Sequence, residues 1–233
     1  EIDTKPVALC PLFLEENDTK KTFSLAQGFL PAPILDPLLT PKSTAKVQSF
    51  LLSTIDHLAN EHGVCKYQIR LDPLADPDSP SSNWLCKYGC IGSTLHSQII
   101  DLRAPLSSLF SNCSENHKRN IKKAQKHYDI FIWDHQNPDF NSHECYRELH
   151  HLTSGRVTRS IDTFNLQFEQ LKQNEAVLIG LKLKDEWISI AYFLHFNNRI
   201  YYGSMADNPT LKQLPAAYGH LLIWEAIQYY HKK

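Results

Sequence analysis

The stretch AVLIGLKLKDEWISIAYFLHFNNRIYYGSMAD, residues 176–207, gives the clearest indication of the fold of this chain. Its hydrophobic pattern predicts three successive strands at 176–183, 187–196 and 199–206. The connections are Lys184-Asp185-Glu186 and Asn197-Asn198, and asparagine tolerates the positive φ of a type I′ turn. Connections this short make the strands an antiparallel meander. Because the middle strand is apolar on both faces, we expect it at the centre of a sheet covered on both sides.

Helices are predicted on both sides of this meander. Two amphipathic helices, 142–154 and 162–173, precede it, and a loop carrying Gly155, Arg156 and Arg159 separates them. A helix that begins near Pro215 follows the meander and is apolar nearly all round, so it should be well buried. Nearer the N-terminus, the patterns predict further elements, namely strands at 6–14, 64–71 and 97–102 and a helix at 43–62.

A basic helix leads into the strand 129–133. Ser114 is a suitable N-cap, and the spacing i, i+4, i+7, i+11 predicts a buried stripe of His117, Ile121, Ala124 and Tyr128. Its other side forms one broad basic face, made of Lys118, Arg119, Lys122, Lys123 and Lys126. Such a face is either a solvated surface or a site for phosphate groups, and the sequence leaves both readings open.

Composition excludes several classes of protein. Hydrophobic residues make up 42% and charged residues 21% of the 233 residues, which is typical of a globular protein. The net charge of −1 gives no global field toward nucleic acid or membrane, so any anion site must be local. The longest apolar runs are about half a membrane span, and no stretch reads as a signal peptide. We therefore expect a cytoplasmic protein with no stable membrane insertion, and we expect the sequence to be a segment trimmed at both ends.

Metal chemistry is not predicted. Cys86 and Cys90 are spaced C-x-x-x-C without a second ligand pair. The helix at 142–154 carries His143, His150 and His151, but Arg147 breaks the H-E-x-x-H pattern and no third ligand is evident.

Two strings carry a family resemblance. Residues 99–133, IIDLRAPLSSLFSNCSENHKRNIKKAQKHYDIFIW, resemble a strand, a short helix, an R-N-I-R-K-A helix and a strand of the Fem-type (FemAB-like) acyltransferases. Residues 201–230, with YYGSMADN and LPAAYGHLLIWEAIQYY, resemble the Y-Y-G-S strand and the W-E-A-I helix of the same family. The resemblance implies an α/β fold with a GNAT-like, mixed but largely antiparallel sheet flanked by helices. It also implies two tandem GNAT-like units, 1–135 and 136–233.

The resemblance places the acyl donor beside the strand 199–206, at the start of the following helix. Helix N-termini suit phosphate groups. The implied donor-binding residues are Ser204, Gln213, Ala216 and Gly219. Enzymes of this fold that use coenzyme A carry Q/R-x-x-G-x-G/A at this point, and the sequence Gln213–Gly219 has the wrong glycine spacing. This departure favours aminoacyl-tRNA over acyl-coenzyme A as the donor, or a lost donor site.

The remaining candidate residues follow from acyl-transfer chemistry, which needs an oriented amine and a stabilised oxyanion. Asp207 and Glu225 are candidates for a general base, although Glu225 lies on a buried helix where a structural hydrogen bond is equally plausible. Tyr201 and Tyr202 alternate across their strand, so one should face the cleft. The candidates for substrate binding are instead implied by the resemblance, which falls on the basic helix and on a loop where Fem-type proteins often place substrate-contacting arginines. All are basic: Lys118, Arg119, Lys122, Lys123, Arg156 and Arg159.

Three functions fit these observations. The first is a Fem-type N-acyltransferase that moves an aminoacyl group from aminoacyl-tRNA to an amine of a peptidoglycan precursor. The second is an acyl-coenzyme A-dependent N-acyltransferase acting on a small amine, sugar or peptide. The third is a non-catalytic GNAT-like module that binds a nucleotide-linked ligand. None of them needs a bound cofactor, and the partners are the acyl donor and the amine acceptor.

Overall fold

The computed structural model describes residues 5–17, 20–25, 28–72, 83–93 and 96–233. They divide into two compact units, Glu1–Gln98 and Ile99–Lys233. The sequence boundary predicted at 135 falls inside the second unit, because the strand that ends at Trp133 pairs with the meander. Whether the chain holds two GNAT-like units stays a prediction.

The first unit contains one long helix and short strands. The strands are β1 (Ala8–Leu9), β2 (Leu14–Asn17), β3 (Lys20–Phe23), β4 (Leu30–Pro31), β5 (Ile34–Leu35), β6 (Val64–Tyr67) and β7 (Ile69–Arg70). Helix α1 (Pro41–His62) is capped by the Thr40 side chain and ends at Gly63, whose φ of 67° favours glycine. A 3₁₀ helix spans Trp84–Tyr88. The predicted helix at 43–62 is confirmed, whereas the predicted strand at 6–14 is reduced to β1 and the first residue of β2.

The second unit is a four-stranded antiparallel sheet with helices on both faces. Its elements are α2 (Leu106–Ser111), α3 (Glu115–Ala124), β8 (Asp129–Trp133), α4 (Phe140–Ser154), α5 (Ile161–Lys172), β9 (Ala176–Leu183), β10 (Glu186–Phe196), β11 (Arg199–Asp207) and α6 (Gly219–His231). The strand order is β11-β10-β9-β8. Asn197 and Asn198 both have positive φ, so the predicted meander and its turn are confirmed. The strand predicted at 97–102 is wrong: those residues form no regular element, and Ile99 and Ile100 are exposed.

Alternation along the central strands builds two cores. Val177, Ile179 and Leu181 of β9 face α3 and α6, whereas Ala176 and Leu178 face α4 and α5. These β9 side chains are all fully buried, and burying a leucine or isoleucine contributes about 1.5–3 kcal/mol relative to exposure. The middle of the sheet is therefore covered on both faces, as the apolar pattern predicts.

Gly180 is required by the packing of two indole rings. A Cβ atom at this position would lie 2.8 Å from Cζ3 of Trp187 and 3.1 Å from Cζ3 of Trp133. Those rings contact each other with centroids 5.4 Å apart, so neither moves alone. We expect Gly180→Ala to lower the free energy of unfolding by about 1–3 kcal/mol, the usual cost of overpacking. Urea unfolding followed by tryptophan fluorescence measures this difference.

Gly219→Ala is the matched control for this substitution. Apart from the neighbouring residues and the backbone of its own helix, no atom of the described residues lies within 4 Å of a Cβ atom at Gly219, the first residue of α6. Alanine has the higher helix propensity, so this variant should be as stable as the wild type or slightly more stable. Equal stability of Gly180→Ala and the wild type would show that the indole pair is not tightly packed.

Candidate functional site

A β-bulge in β11 sets the directions of the candidate side chains. Tyr192 pairs with Ser204 and Phe193 pairs with Tyr202, so Gly203 is the extra residue. Consequently Ser204 lies on the face of α4 and α5, while Tyr202 lies on the opposite face and contacts the Phe193 ring. The side chain of Tyr202 is 52% exposed and that of Tyr201 is half-buried.

On the face of α4 and α5, Ser204 joins two elements that are distant in sequence. The Tyr146 hydroxyl of α4 lies 2.5 Å from the Ser204 hydroxyl, and Nη1 of Arg159 donates to Ser204 Oγ at 3.4 Å. Tyr146 is fully buried, and this burial raises the pKa of its phenol above the ordinary value. The hydrogen bond with Ser204 and the charge of Arg159 offset part of that rise. The structure therefore brings two predicted residues, Ser204 and Arg159, together around a tyrosine that the sequence analysis does not identify.

Arg159 carries an uncompensated charge. Among the described residues, no carboxylate lies within 4 Å of its guanidinium. The side chain is half-buried, whereas Arg156 in the same loop is exposed. A half-buried guanidinium that lacks a carboxylate partner suits a phosphate or a carboxylate of a ligand, because its fork geometry binds either with two hydrogen bonds.

Asp207 ends β11 and is held by hydrogen bonds to two other elements, β10 and α4. Ser189 Oγ of β10 donates to Asp207 Oδ1 at 2.6 Å. The backbone N–H of Asp207 donates to Thr153 Oγ1 of α4 at 3.1 Å. Just before α6, the pKa of Tyr218 is raised to about 12 by burial first and by the nearby Asp207 carboxylate second. Burial and the charge of Asp207 also raise the pKa of Tyr202. Asp207 is thus fixed beside two phenols at the entrance to α6.

Glu225 lies apart from this group. It is half-buried on α6 and accepts a hydrogen bond from Gln125 Nε2, at the end of α3, at 3.4 Å. Burial raises its pKa. Its partners are on α3 and α6, which is the geometry of a residue that joins two helices.

The predicted donor-binding segment is not helical where the sequence suggested. The helix predicted to begin near Pro215 begins at Gly219. The physical reason is the buried Tyr128 hydroxyl, which accepts from the Ala216 N–H at 3.3 Å and donates to the Ala216 carbonyl at 2.5 Å. Both backbone groups of Ala216 are therefore used outside the helix. Gln213 is exposed, and no side chain caps the N-terminus of α6.

The four basic candidates of α3 lie together on the outside of the second unit. Lys118 Nζ is 2.8 Å from Glu115 Oε1, and Arg119 Nη2 donates to the Asn116 amide oxygen at 2.6 Å. Lys122 lies over the Phe110 ring, with Nζ 5.7 Å from the centroid, and Lys123 is exposed. Ile121, Ala124 and Tyr128 of the predicted stripe are buried, whereas the prediction for His117 is wrong, because it lies in the open first turn of α3 and is exposed. The ring centroids of His117 and His220 lie 4.2 Å apart, a contact between α3 and α6 that the sequence analysis does not identify.

Comparison with solved structures gives the fold a precedent. The crystal structure of FemX superposes with a TM-score of 0.62 at 11% sequence identity, over 100% of this chain and 75% of the FemX chain. This chain shares the fold of FemX. The predicted mixed α/β, GNAT-like fold is therefore confirmed. Because the sequence identity is only 11%, the comparison with FemX shows the fold and not the function.

No protein-family model and no curated protein matches the sequence. No helix in the described ranges is long and apolar enough to cross a membrane. Within those same ranges, no three metal-ligating side chains come together as a possible metal site. The candidate site consequently rests on the groups around Ser204 and Asp207 of the strand β11, in a fold shared with FemX.

Proposed function

We propose that this chain is a Fem-type N-acyltransferase that moves an aminoacyl group from aminoacyl-tRNA to an amine of a peptidoglycan precursor in the cytoplasm. The observation that carries the proposal is Arg159, a half-buried cation without a carboxylate partner in the described residues, held on Ser204 of the last meander strand. The fold shared with FemX and the motifs at 99–133 and 201–230 support the same assignment.

Each side of β11 has its own role in this proposal. Arg159 binds an anionic group of the acceptor, a phosphate or a carboxylate, and so positions the acceptor amine; Ser204 and the buried Tyr146 hold the guanidinium in place. On the other side, Asp207 accepts a proton from that amine and Tyr202 contacts the reacting ester. Glu225, which accepts a hydrogen bond from Gln125, is assigned a structural role in this proposal.

The reaction forms one bond and breaks one. The acceptor nitrogen attacks the carbonyl carbon of the aminoacyl ester, and a new amide C–N bond forms. The C–O bond to the tRNA ribose breaks as the tetrahedral intermediate collapses. Asp207 takes one proton from the nitrogen and passes it to the leaving ribose oxygen, so protons and charges balance and Asp207 returns to its starting state.

A transfer assay with the purified protein tests the proposal. Labelled aminoacyl-tRNAs and labelled acetyl-coenzyme A are offered in parallel with a UDP-linked muropeptide that carries a free amine. We expect label from aminoacyl-tRNA alone in the muropeptide. Transfer from acetyl-coenzyme A alone would establish the coenzyme A-dependent enzyme instead. Muropeptide binding without transfer from either donor would establish the non-catalytic module.

The role of Arg159 predicts a specific kinetic defect. Arg159→Gln should raise the KM for the acceptor about 10- to 100-fold, since a hydrogen bond to a charged group contributes about 1.5–3 kcal/mol. The kcat should change less, because the lost interaction serves binding in the ground state as well as the transition state. Steady-state kinetics with varied muropeptide measures both constants.

Arg156→Gln is the matched control, since it removes an exposed cation from the same loop. Its KM should stay within about threefold of the wild-type value, as expected for a single screened surface charge. An equal rise of KM in the two variants would assign the effect to the general charge of the loop and contradict a specific role for Arg159.

A further inference from the structure

The basic face of α3 continues two residues beyond the end of the helix and forms a row. We define the basic row as Lys118, Arg119, Lys122, Lys123 and Lys126. Ile121 and Ala124 point the opposite way and are buried against α6. Together with Glu115, the row lines a shallow open depression. The row is thus a surface feature of the second unit, separate from the groups around Ser204 and Asp207.

Most of its charge is uncompensated. Lys118 pairs with Glu115 at 2.8 Å, but the partner of Arg119 is the neutral amide of Asn116. Within the part of the chain that the structure describes, no carboxylate lies within 4 Å of the other four cations. This local excess stands out in a chain with a net charge of −1.

The row has a direction relative to α6. Near the start of α3, His117 contacts His220 in the first turn of α6, and at its end Gln125 donates to Glu225 further along α6. The two helices therefore run side by side in the same direction. From Lys118 to Lys126 the row extends about 12 Å at 1.5 Å per residue. It begins beside the entrance to α6, close to the predicted donor segment, and leads away from it.

We infer that the basic row binds the sugar-phosphate backbone of RNA. In terms of the proposed function, on which this inference rests, the RNA is the donor tRNA, and the row directs its acylated end toward the start of α6. A row about 12 Å long matches a chain of phosphates better than one phosphate or diphosphate, because nucleic acids carry their charges at regular short intervals.

The side chains also disfavour a lipid surface as the partner. A helix that binds a membrane interface presents apolar residues beside its cations and inserts them among the lipids. In α3 the apolar residues Ile121 and Ala124 are buried in the protein instead. A binding surface made of cations alone is the chemistry of phosphate-backbone contacts.

The test is the salt dependence of RNA binding. Fluorescence anisotropy measures the affinity for deacylated tRNA between about 50 and 200 mM salt, the range over which phosphate contacts weaken strongly. The variant combines Lys122→Gln, Lys123→Gln and Lys126→Gln. Each phosphate contact contributes about −0.7 to −0.9 to the slope of log K against log salt, so the slope should become shallower by about 2 to 3. At the lowest salt concentration, the affinity of the variant for tRNA should be at least about tenfold weaker than that of the wild type, because three phosphate contacts are lost.

A control variant with the same change of charge combines Lys172→Gln, Lys184→Gln and Lys212→Gln, all exposed lysines of the second unit. It should keep the wild-type slope. Equal slopes for the wild type and the α3 variant would overturn the inference. The inference would also be overturned if the α3 variant kept its binding to tRNA but lost binding to phosphatidylglycerol vesicles. The partner of the basic row would then be a membrane. Circular dichroism confirms that both variants are folded.

Failure of this inference and failure of the proposed function are distinguishable. Deacylated tRNA has no group to transfer, so its binding does not depend on catalysis. If aminoacyl transfer is observed and the α3 variant keeps the wild-type KM for tRNA, the basic row is not the RNA site and the proposed function stands. If the α3 variant loses RNA binding but no transfer is found with the wild type, the row binds RNA and the proposed function fails.

Discussion

Replacing Asp207 with Asn is expected to lower kcat for aminoacyl transfer by at least about 100-fold, the usual contribution of a positioned general base. Asn keeps an oxygen that can accept the Ser189 hydroxyl, now 2.6 Å from Asp207 Oδ1, and the backbone bond to Thr153 is unaffected. The variant therefore loses the negative charge and proton acceptor with little change in structure. Single-turnover assays with charged tRNA and muropeptide measure the chemical step directly.

A titration gives a second readout of the same variant that does not depend on substrate. The pKa of Tyr218 is raised to about 12 by burial and then by the Asp207 carboxylate. Removing the charge should lower that pKa in part, because burial remains, and ultraviolet titration of the phenols detects the change. Asp185→Asn, in the exposed turn before β10, is the control and should change neither measurement. A wild-type kcat in Asp207→Asn would exclude Asp207 as the base.

The second unit is expected to lose about 3 kcal/mol of stability as the pH falls from 6.5 to about 4, because of His143. Its imidazole is 1% exposed on α4 among Tyr146, Phe164 and Phe168. Both ring nitrogens are buried, and neither has a hydrogen-bond partner among the residues that the structure describes. Burial is the main cause that lowers the pKa of His143 from 6.5 to about 4. The charge of Glu144 raises this pKa slightly, and the charge of Arg147 lowers it slightly.

The sign follows from the two states. Above pH 6.5 the imidazole is neutral in both the folded and the unfolded chain, so it contributes no pH dependence. Below pH 6.5 the unfolded chain takes up a proton that the folded chain refuses until about pH 4. The folded state therefore loses about 1.4 kcal/mol for each pH unit in that window. Urea unfolding of the second unit at several pH values, followed by tryptophan fluorescence, measures this slope.

His143→Leu isolates the contribution of the imidazole. Leucine fills the apolar site and removes two unpartnered nitrogen atoms, so the variant should be at least as stable as the wild type at pH 7 and more stable at pH 5. His127→Gln alters an exposed histidine and should leave the pH dependence as it is in the wild type. If the stability of His143→Leu falls with pH as steeply as that of the wild type, other groups cause the acid sensitivity.

Much of the second unit is predictable because its signals are local. The alternation along β9 and the Asn197-Asn198 turn specify a meander without reference to any distant residue, and Ser114 and the apolar stripe specify α3 in the same way. The strand predicted at 97–102 fails because a short apolar run carries no information about a pairing partner. The start of α6 is wrong by four residues because Tyr128, from another part of the chain, binds the backbone of Ala216.

Near neighbours in the chain set the backbone conformation and the hydrophobic period, so the sequence predicts the antiparallel meander and the helices on both of its faces. Its resemblance to the Fem-type family also points to β11 and the start of α6 as the candidate site. Only the tertiary structure decided which candidates act together. The bulge at Gly203 turns Ser204 toward Tyr146 and Arg159. Long-range packing brings the Ser189 hydroxyl into hydrogen-bond contact with Asp207 and places the Tyr218 phenol near that carboxylate. Glu225 instead accepts a hydrogen bond from Gln125 at the end of α3. Those contacts join residues far apart in the chain, and no local pattern encodes such a meeting.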